Sequence, residues 1–162
     1  MINPKSQKLA DRLQDAGEKT LAFFSALTPD QWNQQIYTDS ANWRVRQILA
    51  HFVATEDAFT QLIINALESG ARGPADFDLD AYNESHVDEL RDLSPEELLE
   101  RFAELRAQTE ARVRGLEDTD LEKEGWHPFF GLAPVDAMLK LIFRHNQIHQ
   151  RDIRKVLEPR AD

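Results

Sequence analysis

The chain has 162 residues, 41% of them hydrophobic and 30% charged, with a formal net charge of −10 and no cysteine. That length suits one domain with a sizeable core, and the missing cysteines exclude disulfides, a thiol nucleophile and any cysteine-held zinc or iron–sulfur site. The acidic balance argues against a nucleic-acid-binding face, and no run of about 18 apolar residues is present to span a membrane.

The polar stretch from Met1 to Asp15 lacks the apolar core of a signal peptide, so a cytoplasmic protein is expected. Apolar residues at Leu9, Leu13, Ala16, Leu21, Phe24 and Leu27 predict a first helix from Pro4 to Leu27. Thr28-Pro29-Asp30-Gln31 reads as a capping box for a short helix through Gln35, and Ile36 to Asn42 as a connector.

A second long helix is predicted from Val45 to Glu68, with Ile48, Phe52, Thr55, Phe59, Leu62 and Ala66 inward. Its one histidine, His51, flanks that inward face. Glu56 is a candidate general base or half of a core-edge ion pair. The glycines and proline of Ser69-Gly70-Ala71-Arg72-Gly73-Pro74 end the helix. A link from Ala75 to Asp92 follows, helical from Asp80 onward, with Tyr82, Asn83 and His86. Ser94-Pro95-Glu96-Glu97 is an N-cap, a proline at N1 and a glutamate at N3. It opens a third helix to Leu116, with Leu98, Phe102, Leu105, Thr109, Val113 and Leu116 inward. Glu117 to Ala133 reads as a long loop whose aromatics cover a bundle end or roof a pocket. Within it His127, like His86, reads as a surface or loop residue rather than a ligand.

The last helix is predicted from Val135 to Val156, with Val135, Met138, Ile142, His145, His149, Asp152 and Val156 on one stripe. His145 and His149 are four apart and share a helix face, a spacing at which two imidazoles can hold one metal ion. The alternative is a pair of hydrogen-bonded core histidines. His51 is the natural third ligand. Asp152 either orients a ligand imidazole or pairs with a basic neighbour. The basic residues Lys140, Arg144, Arg151, Arg154, Lys155 and Arg160 are expected to pair with acids on other helices. The whole is an all-α, antiparallel-type four-helix bundle without strands, with a longer link between helices two and three.

Trp43, then Val45-Arg46-Gln47-Ile48-Leu49-Ala50-His51 and Glu56, resembles the start of helix two in the DinB/YfiT-like metalloenzyme superfamily. His145-Asn146-Gln147-Ile148-His149-Gln150-Arg151-Asp152-Ile153 resembles its last-helix motif, and Asp80-Ala81-Tyr82-Asn83 a segment found in part of the group. The sequence departs from that pattern at Arg44, where a Ser or Thr commonly caps helix two. The resemblance implies a four-helix bundle, usually a homodimer, with a divalent metal on His51, His145 and His149, and Asn83 pointing into the pocket. Zinc is the first choice for such a ligand set, with nickel or iron as alternatives. Three imidazoles leave a coordination position open, where an ion activates water or a thiol. In a chain without cysteine that thiol is a low-molecular-weight cosubstrate. The expected activity is a metal-dependent transferase or hydrolase acting on a small electrophilic molecule, with no nucleic-acid or membrane partner. The alternative is a non-catalytic bundle that binds metal or a small ligand, or serves in a stress response.

Overall fold

The computed structural model describes residues 4–39, 41–70, 72–74 and 76–158; Met1, Ala71, Ala75 and Arg160, named above, lie outside them. The elements are α1 (Pro4–Ser25), α2 (Pro29–Trp32), α3 (Val45–Glu68), α4 (Leu79–Glu89), α5 (Pro95–Arg114), α6 (Asp118–Glu122), β1 (Glu124–His127), β2 (Gly131–Pro134) and α7 (Val135–Leu157). No described helix is long and apolar enough to cross a membrane.

Local chemistry sets where the helices begin. Ser94 Oγ accepts from the Glu97 N–H at 3.1 Å while Glu97 Oε2 accepts from the Ser94 N–H at 2.7 Å, satisfying two otherwise free donors. Thr28 and Gln31 do the same for α2. Arg44 supplies no side-chain cap to α3. Instead Gln47 Oε1 accepts from the Arg44 N–H at 2.8 Å, and the helix still begins at Val45.

The four long helices α1, α3, α5 and α7 form the bundle. Each of α1 and α3 packs against both α5 and α7. Their apolar residues fall into two clusters. One joins Leu9 and Leu13 of α1, Ile63 of α3, Val113 of α5 and Met138 and Ile142 of α7. The other joins Phe24 of α1, Ile48 and Phe52 of α3, Phe102 of α5 and Ile153 of α7. Chain order through these clusters runs one way in α1 and α7 and the other way in α3 and α5. Neighbouring α3 and α5 are therefore parallel, a correction to the simple antiparallel arrangement. A parallel pair needs a crossover connection, and the long link carrying α4 provides it.

A polar layer separates the two clusters: Thr20, Glu56, Arg106, Asn146 and Gln150 are each at most 5% exposed. The inward stripes shift accordingly. In α5 it is Arg106 that is buried, and Leu105 only half so. In α7 the buried residues after Phe143 are Asn146, Gln150 and Ile153, while Val156, expected inward, is 40% exposed.

The loop expected before the last helix contains an antiparallel hairpin, so the bundle is not strand-free. β1 and β2 pair from Glu124↔Pro134 to His127↔Gly131. Pro128, Phe129 and Phe130 turn the chain, and Gly131 takes φ +77°, the left-handed conformation that such short hairpin loops use. At Gly125 the hairpin backbone lies directly on α3: a Cβ there would sit 2.7 Å from Ala66 Cβ.

Candidate metal centre

His145 and His149, one turn apart on α7, face His51 on α3. His145 Nε2 is 2.9 Å from His51 Nε2 and 3.1 Å from His149 Nε2, and one ligand atom from each residue lies within 4.8 Å of the others. His51 is buried, and the other two are half-buried. The structure thus brings together the three histidines expected to converge.

The connector between α2 and α3 determines how His149 is turned. Tyr37 and Trp43 pair through their backbones, each N–H donating to the other's carbonyl, at 3.0 and 3.1 Å. This places the Tyr37 hydroxyl against α7. It donates to Asp152 Oδ2 at 2.6 Å and lies 2.7 Å from His149 Nδ1. A hydroxyl has one proton. With that proton given to the carboxylate, the oxygen accepts from Nδ1–H, and His149 presents the Nε2 lone pair to the cluster. Burial and the Asp152 carboxylate both raise the Tyr37 pKa, keeping the hydroxyl protonated. Asp152 Oδ1 also lies 3.6 Å from Arg151 Nη2. Trp43 packs its ring on His51, 4.8 Å between centroids.

The three imidazoles stay neutral. Burial, with proximity to His149 second, pushes His51 down to about 3. Burial holds His149 at about 4 against the opposing pull of Asp152. His145 falls well below the usual imidazole range for want of solvent, then through His51 and His149. Neutral rings leave a conflict. His149 Nε2 has no proton, so a proton on His51 Nε2 leaves the His145–His149 contact as lone pair against lone pair, and a proton on His145 Nε2 leaves one N–H to serve two acceptors. A cation among the three nitrogens removes that conflict. At a metal–nitrogen bond of about 2.1 Å, two donors at right angles lie about 3.0 Å apart, close to both observed separations. His51 Nδ1 and His145 Nδ1 have no hydrogen-bond partner, so only His149 is held from behind.

Glu56 does not face the cluster. It accepts from Arg106 Nε at 2.7 Å and Nη2 at 3.0 Å, and Arg106 also donates to Asn146 Oδ1 at 2.6 Å and to the Leu13 carbonyl at 3.0 Å. A carboxylate engaged on both oxygens by a buried guanidinium is a structural ion pair, not a free base. Neither Arg106 nor Tyr37 stands out in the sequence. Arg106 does fall four after Phe102 and three before Thr109, on the inward stripe, and a cation there opposite Glu56 was the available signal. For Tyr37 there is none, because its partners lie 112 and 115 residues away.

Beside the histidines lies a cavity of about 440 Å³. Thr55 and Leu62 of α3 face it, as do Asn83, His51 and His145. Phe59, Phe77, Tyr82, Trp126 and Phe129 supply an aromatic wall, with Asp57 and Gln61 also at its border. His86 lies apart from it, stacked on Tyr82 with Nδ1 donating to the Tyr82 carbonyl at 2.8 Å. His127 is not a surface or loop residue: it belongs to β1, is 1% exposed and borders the cavity. The residue count between Glu117 and Val135 hid this, since a strand of four residues is too short to show its period.

A family model of the DinB superfamily matches residues 12–153. Comparison with curated protein sequences finds no match. Among solved structures the chain is similar to YfiT from Bacillus subtilis, a probable metal-dependent hydrolase with an unusual four-helix bundle topology. The two share 19% identity at a TM-score of 0.75, over 96% of this chain and 87% of that one. It is similar also to the mycothiol-dependent maleylpyruvate isomerase, at 15% identity and a TM-score of 0.74, covering 91% of this chain but 60% of that chain. The colibactin self-resistance protein ClbS, solved in complex with a dsDNA, matches at 11% identity and a TM-score of 0.73, over 96% of this chain and 97% of its own. At these identities the likeness establishes the fold.

Proposed function

This chain is a member of the DinB superfamily, and from that premise we propose that it is a divalent-metal-dependent transferase or hydrolase acting on a small electrophilic molecule. The observation that carries the reading is the convergence of three neutral imidazoles, with Nε2 atoms 2.9 and 3.1 Å apart, at the edge of an apolar cavity. His51, His145 and His149 would hold the ion. The all-imidazole donor set favours zinc, with nickel or iron also suited. The ion supplies Lewis acidity that lowers the pKa of water or of a thiol at the open position.

The chain's own residues do the rest. Tyr37 and Asp152 keep the His149 lone pair turned to the centre. Trp43 covers His51. Phe59 packs its ring near His145, and the aromatic wall excludes water from one side of the site, which strengthens every electrostatic contact inside it. With no cysteine in the chain, any sulfur nucleophile is a low-molecular-weight thiol brought as cosubstrate. The similarity to YfiT, a probable metal-dependent hydrolase, and to the mycothiol-dependent isomerase supports this class of chemistry. The net charge of −10 speaks against a nucleic-acid role. A homodimer is expected, and light scattering tests it.

The test is turnover of a panel of small epoxides, activated esters and α,β-unsaturated acids, with and without added thiols. Metal-loaded protein is compared with chelated protein and with His145→Ala. Product formed only by the loaded wild-type chain supports the reading. Stoichiometric binding without product across the panel favours the non-catalytic alternative.

A further inference from the structure

His127 has its ring stacked on Phe59, 5.4 Å between centroids and 14° between planes. Its Nδ1 accepts from the Phe129 N–H at 3.0 Å. A neutral imidazole that accepts at Nδ1 carries its proton at Nε2. That Nε2–H is buried, has no hydrogen-bond partner and belongs to a residue that lines the cavity. A buried donor without an acceptor is unfavourable in a folded protein, and such an exception marks a place for a ligand atom. Burial pushes His127 down to about 4, so the ring is a neutral donor at physiological pH.

The rest of the cavity restricts what could bring the acceptor. Among the described residues lining it there is no lysine or arginine, and the one carboxylate is Asp57. Arg72 lines an adjoining groove that His127 also borders. The wall itself is mainly aromatic and aliphatic, so it selects for apolar surface, and the charge available beside it is that of the ion proposed for the three histidines. The same Phe59 ring that carries His127 also meets His145 edge-on, 6.1 Å between centroids. The donor and the three-histidine centre therefore flank one aromatic side chain.

We infer that this cavity takes an aromatic molecule bearing one hydrogen-bond acceptor of the carbonyl type, and that His127 Nε2–H is the donor that orients it beside the three histidines. The inference rests on reading the cavity as the substrate pocket of that centre. It makes His127 a positioning and specificity residue.

Two probes with one ring system test it: 2-acetylnaphthalene and 2-ethylnaphthalene. Each is titrated into metal-loaded wild-type protein, His127→Phe and His145→Ala, with metal content measured on the same samples. The wild-type chain is expected to bind the ketone about threefold to tenfold more tightly than the hydrocarbon, the size of one neutral hydrogen bond. His127→Phe keeps a flat ring on Phe59, and should lower ketone binding to the hydrocarbon's level while leaving the hydrocarbon unchanged. In ¹⁵N-histidine-labelled wild-type protein the ketone, and not the hydrocarbon, should move the His127 Nε2–H resonance; this readout stands even where the variant fails to fold. Equal binding of ketone and hydrocarbon, or loss of ketone preference in His145→Ala with none in His127→Phe, would each overturn the inference. A chain that holds no metal yet keeps the ketone preference contradicts the proposed metal function and leaves this inference standing. A chain that holds metal without that preference does the reverse.

Discussion

His149 Nδ1 and the Tyr37 hydroxyl are 2.7 Å apart, and the hydroxyl proton is committed to Asp152, 2.6 Å away. A side chain from the connector therefore decides which nitrogen of a last-helix histidine faces the cluster. Tyr37→Phe removes that control and leaves the ring in place. Partners of this kind typically contribute about 10- to 100-fold in metal affinity, and that weakening is expected in competition against a chelator, with the helical circular dichroism unchanged. Undiminished affinity would mean that the bond orients nothing.

Arg106 and Glu56 form a buried pair, with side chains 3% and 2% exposed. Removing one member leaves an uncompensated charge in the polar layer, so Glu56→Ala and Arg106→Ala should each cost roughly 3–5 kcal/mol in urea denaturation. The double variant should cost clearly less than the sum, because the second deletion also removes the stranded charge. Additive losses would show that the pair does not act as a unit.

The hairpin is seated by a glycine. A Cβ at Gly125 would stand 2.7 Å from Ala66 Cβ and 2.9 Å from its Cα, and the backbone of α3 cannot move aside as a flexible side chain would. Gly125→Ala should therefore lower stability by about 1–3 kcal/mol, the range for overpacking, seen as a lower thermal midpoint. A neutral or stabilising effect would mean that the hairpin shifts freely over α3.

His127 sets part of the acid limit of stability. Its folded-state pKa is lowered from an ordinary value of 6.5 to about 4 by burial. The unfolded chain takes up this proton as pH falls through 6.5, and the folded chain does not until about 4. The stability it supports is full above 6.5 and is lost between there and 4, by up to roughly 3 kcal/mol. His127→Phe should lose less stability than wild type across that window in metal-free protein. Parallel profiles for the two chains would contradict the burial of a neutral ring.

The parts of this arrangement visible in the sequence are those set by near neighbours. Ser94 and Glu97 cap one another three residues apart, so the start of α5 is legible. His145 and His149 share a face because they are four apart. Family resemblance, together with His51 being the one histidine in its helix, supplies the third. What was not visible depends on distant partners or on charge placed where hydrophobicity is expected. Arg106 reads as a solvated cation until Glu56, fifty residues earlier, is placed opposite it. Tyr37 acquires its role only when the connector folds onto α7. The parallel course of α3 and α5 follows from the crossover link, whose length was evident and whose path was not. His127 reads as a loop residue because β1 and β2 are only four residues each.

The central claim is that His51, His145 and His149 hold one divalent ion. Elemental analysis of protein purified without a metal-affinity column or chelator tests it most directly, beside His51→Ala, His145→Ala and His149→Ala. The account predicts near-stoichiometric metal in the parent chain and loss of it in all three variants, with the bundle still folded. A parent chain that takes up no metal after soaking with zinc and nickel, or variants that retain it, would contradict the account.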